Sequence, residues 1–214
     1  MVTGTASTVL PTEIHAELRR DILSQTSPAG ATFTESAVAD RFGVARPTAK
    51  MAIERLVAEG LLRREAHHAA HVPELSREDV ADLFENRAIV ETAAIGKLAA
   101  SGTIPAYALA AHRALLASEN ANPSLDIEFH RALVTGQGSP RLIRAHSLLM
   151  GEIELCIGQV LAGGLRTAAE VSAQHQGILD AVTAGDAGLA ERLTREHISE
   201  SRDRLLAQFD RGER

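Results

Sequence analysis

From residue 77 to residue 209, apolar residues recur at three- and four-residue spacing, and only short breaks interrupt the pattern. This is the periodicity of helices that bury one face. Breaks at Gly102, Pro105, Asn122-Pro123, Gly136 to Pro140, Gly163-Gly164 and Gly185 predict helices near 77–101, 104–119, 124–135, 139–162, 166–184 and 186–209. Connections this short make consecutive helices pack antiparallel, as a bundle. Aromatic residues make up 3% of the chain and Trp is absent, so Ala and Leu must fill the core. Such a core suits close-packed helices and argues against a β-sandwich.

The first 75 residues read differently. Residues 1–10 are small and polar, as in a loose arm. Ile14, Leu18, Ile22 and Leu23 predict a helix from Pro11 to about Gln25, followed by a turn at SPAGAT. Thr34 suits the N-cap of a short helix that Gly43 ends. A further helix is expected from Arg46 to Glu59, with Pro47 in its first turn and Gly60 closing it. LLRRE and AHV are short enough to be two strands of a β-wing. PELSR (73–77) reads as a linker, with Ser76 capping the next helix. The expected fold is therefore mostly α, in two domains. A winged helix-turn-helix occupies 11–73 and an all-α antiparallel helical bundle occupies 77–209.

A helix, a glycine turn and a second helix form the geometry that lays the second helix in a DNA major groove. Arg46, Thr48 and Lys50 stand at the start of that second helix. Arg can bond guanine O6 and N7 together, Thr a phosphate or a thymine methyl, and Lys a phosphate. The ordinary alternative is a solvated polar face on a three-helix bundle. The formal charge of −6 is unlike that of many nucleic-acid binders. Residues 1–75 carry −1 of it and the remainder −5, so any DNA contact must come from a local patch. Cys156 is the single cysteine, which excludes an intramolecular disulfide and reads best as a small core residue. With no basic-then-apolar leader and no apolar run of about 18–20 residues, the expected compartment is the cytoplasm and no membrane contact is foreseen.

Four potential metal ligands lie in the C-terminal part. Asp126 and His130 are four apart in DIEFHRAL, His175 lies in SAQHQGILDAV and His197 in TREHISESRDRL. Three helices can aim this carboxylate and these imidazoles at one point, since an i,i+4 pair shares a helix face. Three imidazoles and a carboxylate suit a divalent transition metal, Zn²⁺, Ni²⁺, Mn²⁺ or Fe²⁺. A single helical histidine is ordinarily a surface or satisfied core residue, and His15, His112 and His146 are read that way. His67, His68 and His71 read as exposed loop residues at the wing.

Residues 12–75 resemble the winged helix-turn-helix domain of GntR-type transcription regulators. IHAELRRDIL, FTESAVADRFGVARPTAKMAIERLVAEGLL and the wing that follows carry the likeness. It implies DNA-contacting roles for Arg46, Thr48 and Lys50. Ser36, which stands where the family often has arginine, would bond a phosphate. The run ARPTAK departs from the usual Ser-Arg-Thr-Pro-x-Arg order, and the wing tip reads EAHHAAH where the family carries glycine. Residues 77–209 resemble the FCD ligand-binding domain of the FadR-like branch. Here the likeness lies in LFENRAIVETAAIGKLAA, DIEFHRAL, the SPRL turn and QHQGILDAV with GDAGLAERLTREHI. It implies that Asp126, His130, His175 and His197 are the metal ligands. The family's R-x3-E pattern falls on Arg87 and Glu91, which makes Arg87 the candidate for holding an acidic effector. A helix-face ion pair with Glu91 explains Arg87 equally well. Arg131, Arg141 and Arg144 are weaker candidates, each accounted for by an interhelical salt bridge.

The function expected is that of a homodimeric transcription regulator and not an enzyme. It would bind a palindromic double-stranded DNA operator, most simply as a repressor relieved by a small carboxylate metabolite bound at the metal-containing domain. Two alternatives stand beside it: the same regulator with a purely structural metal, and a metal-dependent hydrolase. Against the hydrolase, no HExxH-like general base accompanies the ligands and the helix-turn-helix would have no purpose.

Overall fold

The computed structural model describes residues 10–118, 123–160 and 167–212. The arm expected at 1–10, apart from Leu10, and the Gly163-Gly164 break lie outside them, as do the ends of the helices expected at 104–119 and 139–162. The chain divides into two compact units, one ending at Glu74 and the other beginning at Leu75.

The first unit is built from α1 (Pro11–Leu23), β1 (Thr32–Phe33), α2 (Glu35–Phe42), α3 (Arg46–Ala58) and β2 (Ala70–His71). α1 presents Ile14, Leu18 and Ile22 to Ala49, Ala52, Ile53 and Leu56 of α3, and all seven are buried. Thr34 caps α2 by accepting a hydrogen bond from the Ala37 amide at 3.1 Å, and Gly43 ends it at φ +64°. That left-handed geometry favours glycine and turns the chain directly into α3.

The wing differs from its expectation. LLRRE contributes one bridge, Arg63 to His71, while β2 pairs antiparallel with β1, Thr32 opposite His71 and Phe33 opposite Ala70. β1 lies at the end of the stretch read as a turn. A two-residue pairing leaves no alternation for sequence to display. His67 sits at the wing tip with φ +66°. A glycine takes that conformation without strain, whereas a side chain with a Cβ does so at a cost.

The second unit contains α4 (Arg77–Ser101), α5 (Ala106–Leu116), α6 (Pro123–Gly136), α7 (Pro140–Val160), α8 (Ala168–Thr183) and α9 (Ala187–Gly212). Ser76 and Asp79 form a capping box at the start of α4, and Thr167 and Glu170 form another at α8. α4 packs most extensively on α9. Arg77, at the start of α4, bonds Asp210 near the end of α9, while Gly96 lies against Glu191 near the start of α9. The two helices therefore run antiparallel. Ile95, Leu98, Phe129, Leu133, Ile178 and Val182 anchor one apolar cluster among α4, α6 and α8. None of the helices is long and apolar enough to cross a membrane, among the described residues.

At the end of α6, the space a Gly136 side chain would need is filled by the ring of Pro105, just before α5. A proline ring moves less easily than a flexible side chain. Gly136→Ala is expected to push α5 from α6 and destabilise the protein by about 1–3 kcal/mol. The urea midpoint measures this, and an unchanged midpoint would contradict the packing described.

Candidate metal centre and DNA-reading face

α6 carries Asp126 and His130 one turn apart, α8 carries His175 and α9 carries His197. The three histidines are fully or almost fully buried, and the Asp126 side chain retains 20% exposure. One ligand atom from each of the four lies within 4.8 Å of every other. All three Nε2 atoms gather about Asp126 Oδ1, at 2.9 Å for His175, 3.4 Å for His197 and 3.6 Å for His130. His130 and His197 bring their Nε2 atoms to 3.0 Å from each other.

These spacings fit an ion. Ligands about 2.1 Å from a metal are roughly 3.0 Å apart at a right angle and about 3.4 Å apart at the tetrahedral angle. Neutral imidazoles with a carboxylate are the donor set that first-row divalent metals favour. Burial also strips water from three imidazoles whose Nε2 atoms converge, an arrangement that a cation relieves.

Neighbouring groups orient the rings. Gln174 Oε1 accepts from His197 Nδ1 at 2.9 Å, which leaves the Nε2 lone pair of His197 free to face the centre. Phe129 stacks on His175, with centroids 3.8 Å apart and 13° between planes. His130 Nδ1 lies 2.6 Å from Glu91 Oε2 of α4, an approach that is short but poorly aligned. Glu91 Oε1 accepts from Arg87 Nε and from His146 Nε2, each at 2.9 Å. Arg87 and Glu91 are both 1% exposed. The ion pair that stood as the alternative reading of Arg87 is present, and it is buried. Arg87 Nη2 is also buried and has no hydrogen-bond partner among the described residues.

Three residues of this site are not marked by the sequence. Glu91 enters there only as the partner of Arg87, His146 reads as an ordinary histidine, and Gln174 carries no expectation. The QHQ run around His175 is the available signal for Gln174. His112 meets its expectation as a buried histidine, with Nε2 3.0 Å from Gln176 Oε1. His15 does too, paired with Glu59 at 2.9 Å. Arg131 bonds Glu154 at 3.3 Å, the interhelical salt bridge foreseen. Cys156 is buried, and burial pushes its thiol up to about 12.

The electrostatics separate the histidines. Burial disfavours the charge of Asp126, yet the rings of His130, His175 and His197 gathered about it hold it well below the usual carboxylate range. Burial likewise opposes ionised Glu91, but Arg87 and His130 keep it well below its ordinary value. Burial also works against charge on His130, but the Glu91 carboxylate overrides it and raises the ring. Burial dominates for the other two, taking His175 down to about 3 and His197 to about 4 despite Asp126.

A pH dependence follows for the metal-free protein. In the unfolded chain His175 and His197 titrate near 6.5. Below that pH the unfolded state binds protons that the folded state refuses, so stability falls on acidification. The window runs from about pH 6.5 down to the folded values near 3 and 4. His130 has the opposite sign: its contribution is full below about pH 6.5 and is lost as pH rises through its raised value. Between pH 6.5 and pH 5 the metal-free protein is expected to lose about 3 kcal/mol from the two depressed histidines. Urea titrations at the two pH values measure this, and equal stabilities would contradict the burial of these rings.

In the first unit, Arg46 and Lys50 of α3 are exposed and Thr48 is half-buried. Lys50 lies 3.6 Å from Glu54 on the same helix. Ser36 is half-buried, and its hydroxyl is 3.2 Å from that of Thr34. Arg64 lies 3.7 Å from Glu35.

A winged helix joined to a helical bundle defines a class of one-component, DNA-binding transcription regulators. Residues 10–72 match the gntR family of bacterial regulatory proteins, and residues 82–200 match the FCD domain. The chain belongs to the GntR family, in the branch that carries an FCD domain, and is a transcription regulator rather than an enzyme. It is 27% identical over 209 residues to the "Uncharacterized HTH-type transcriptional regulator BphR" of Paraburkholderia xenovorans (strain LB400), covering 90% of this chain and 83% of that protein. It is 26% identical over 206 residues to the "Probable D-xylose utilization operon transcriptional repressor" of Paenarthrobacter nicotinovorans, covering 90% and 87%. Among solved structures, E. coli McbR/YncC shares the fold at a TM-score of 0.70 and 18% identity, covering 94% of this chain and 99% of that one. A GntR regulator from Rhodococcus sp. RHA1 shares it at 0.68 and 21% identity, covering 92% and 97%.

Proposed function

We propose that this chain is a metal-containing, effector-responsive repressor, with residues 11–73 as its DNA-reading head and 77–209 as its sensor. Asp126, His130, His175 and His197 hold one Zn²⁺, Ni²⁺, Mn²⁺ or Fe²⁺ ion. The observation that carries this reading is the convergence of those four ligand atoms within 4.8 Å at a site whose three imidazoles are buried. Such an ion keeps one or two positions open when five- or six-coordinate and supplies Lewis acidity there, which an organic carboxylate can satisfy.

Arg87 is the residue assigned to the acidic effector. Its Nε is committed to Glu91, while its buried Nη2 lacks a partner among the described residues. A buried guanidinium N–H without an acceptor is unfavourable, and a ligand carboxylate would satisfy it. On DNA, Arg46, Thr48, Lys50 and Ser36 make the contacts, and a homodimer places two heads on a palindrome. The effector acts by binding one arrangement of the heads more tightly than another. The name of the Paenarthrobacter relative supports the repressor sign.

The test is elemental analysis of the purified protein, followed by operator binding across a panel of small carboxylates, with and without metal. The expected result is a bound transition metal and at least one acid that releases DNA only from the metal-loaded protein. Metal with no responsive acid would leave a structural ion and overturn the sensing claim. No metal uptake would overturn the centre itself.

A further inference from the structure

We propose that Glu91 is a positioning residue for the ion site, one that holds the His130 ring with its Nε2 lone pair toward the centre. This inference rests on the metal reading above. Glu91 lies outside the ligand set, on α4, which contributes no ligand. Its Oε2 is 2.6 Å from His130 Nδ1, on the side of the ring away from Asp126 and His197. A carboxylate there can only accept, so the Nδ1 proton stays on that nitrogen and the lone pair falls at Nε2. An imidazole hydrogen-bonded to a carboxylate is also the stronger donor to a metal.

The rest of the arrangement fixes the carboxylate itself. Arg87 Nε and His146 Nε2 both donate to Glu91 Oε1 at 2.9 Å, so the other oxygen is turned to His130. One buried acid thus ties α4, α6 and α7 to the same ring. Gln174 does the equivalent work for His197 with a neutral acceptor. What sets His130 apart is that its Nδ1 faces a carboxylate, at 2.6 Å. Glu91 also places Arg87 one carboxylate away from a ligand ring.

The test compares Zn²⁺ affinity, by competition with a chromophoric chelator, in the wild type, Glu91→Gln and the double variant Arg87→Met/Glu91→Gln. The double variant removes both partners of the buried pair, so it guards against a fold lost to an unpaired guanidinium. Histidine-ring nitrogen NMR of the Zn²⁺-loaded proteins reports whether the proton of His130 remains at Nδ1. Both variants are expected to bind Zn²⁺ about 10- to 100-fold more weakly than wild type, with the His130 Nδ1–H signal shifted and that of His197 unchanged. A merely structural role would lower the melting temperature and leave the ring signal in place. Zn²⁺ affinity within twofold of wild type in either folded variant overturns the inference alone. No Zn²⁺ binding by the wild type overturns both it and the reading beneath it.

Discussion

Arg46→Ala is expected to weaken operator binding more than any other single change in the head. Arg46 stands exposed in the first turn of α3, beside Pro47, while Ala49 in the same turn is buried in the core. An arginine that reads guanine edges contributes about 1–3 kcal/mol. On the proposed palindrome bound by two heads the loss counts twice, about 2–6 kcal/mol, or roughly 30-fold to 10⁴-fold in affinity. Fluorescence anisotropy on a duplex selected by the wild type from a random pool measures the loss. Folding should hardly change, within about 0.5 kcal/mol, because the side chain lies on the surface. Lys50→Ala is the informative contrast. If Lys50 bonds phosphate as proposed, affinity is expected to fall across all sequences and the salt dependence to flatten. An Arg46→Ala protein with unaltered affinity would remove this face from the DNA.

His130→Ala is the corresponding change in the proposed metal centre. Structural zinc sites bind with about 10–16 kcal/mol, so each of four ligands carries roughly 3 kcal/mol. Removing His130 is therefore expected to reduce Zn²⁺ affinity by about 100- to 1000-fold and to abolish the rise in melting temperature that added Zn²⁺ gives the wild type. His130 also faces Glu91, so its loss strands a buried carboxylate that Arg87 and His146 still hold. The metal-free variant should consequently be less stable than the metal-free wild type. Calorimetry of both proteins, with and without Zn²⁺, separates the two effects. An undiminished zinc-dependent rise would exclude His130 from the site.

Most of the helical architecture is legible in the sequence because its signals are local. α4 matches its expected span to the residue, since Ser76 and Gly102 are explicit start and stop signals at its ends. The remaining described helices of the bundle fall within a few residues of expectation, because Gly and Pro break the pattern between them. The wing is less legible, its pairing being long-range and only two residues long. For the same reason, the caps of α2 at Thr34 and Gly43 can be foreseen while the partner of β2 cannot.

The ligand cluster is visible through one spacing, Asp126 to His130, and through a family likeness that extends it to His175 and His197. What surrounds it is not visible. Arg87 and Glu91 at i,i+4 read as an effector contact or a helix-face ion pair, and nothing local reveals that both are 1% exposed. His146 lies 55 residues from Glu91 in sequence and bonds it across two helices. Such groups become recognisable only when tertiary packing buries them, since burial makes every unpaired polar atom count.

X-ray absorption at the Zn edge of the loaded protein tests the account most directly. One ion per chain is expected, in a shell of nitrogen and oxygen about 2.0–2.2 Å away, with the multiple scattering of three imidazoles. An ion that fails to stay bound, or one held in a shell without imidazole, would contradict it.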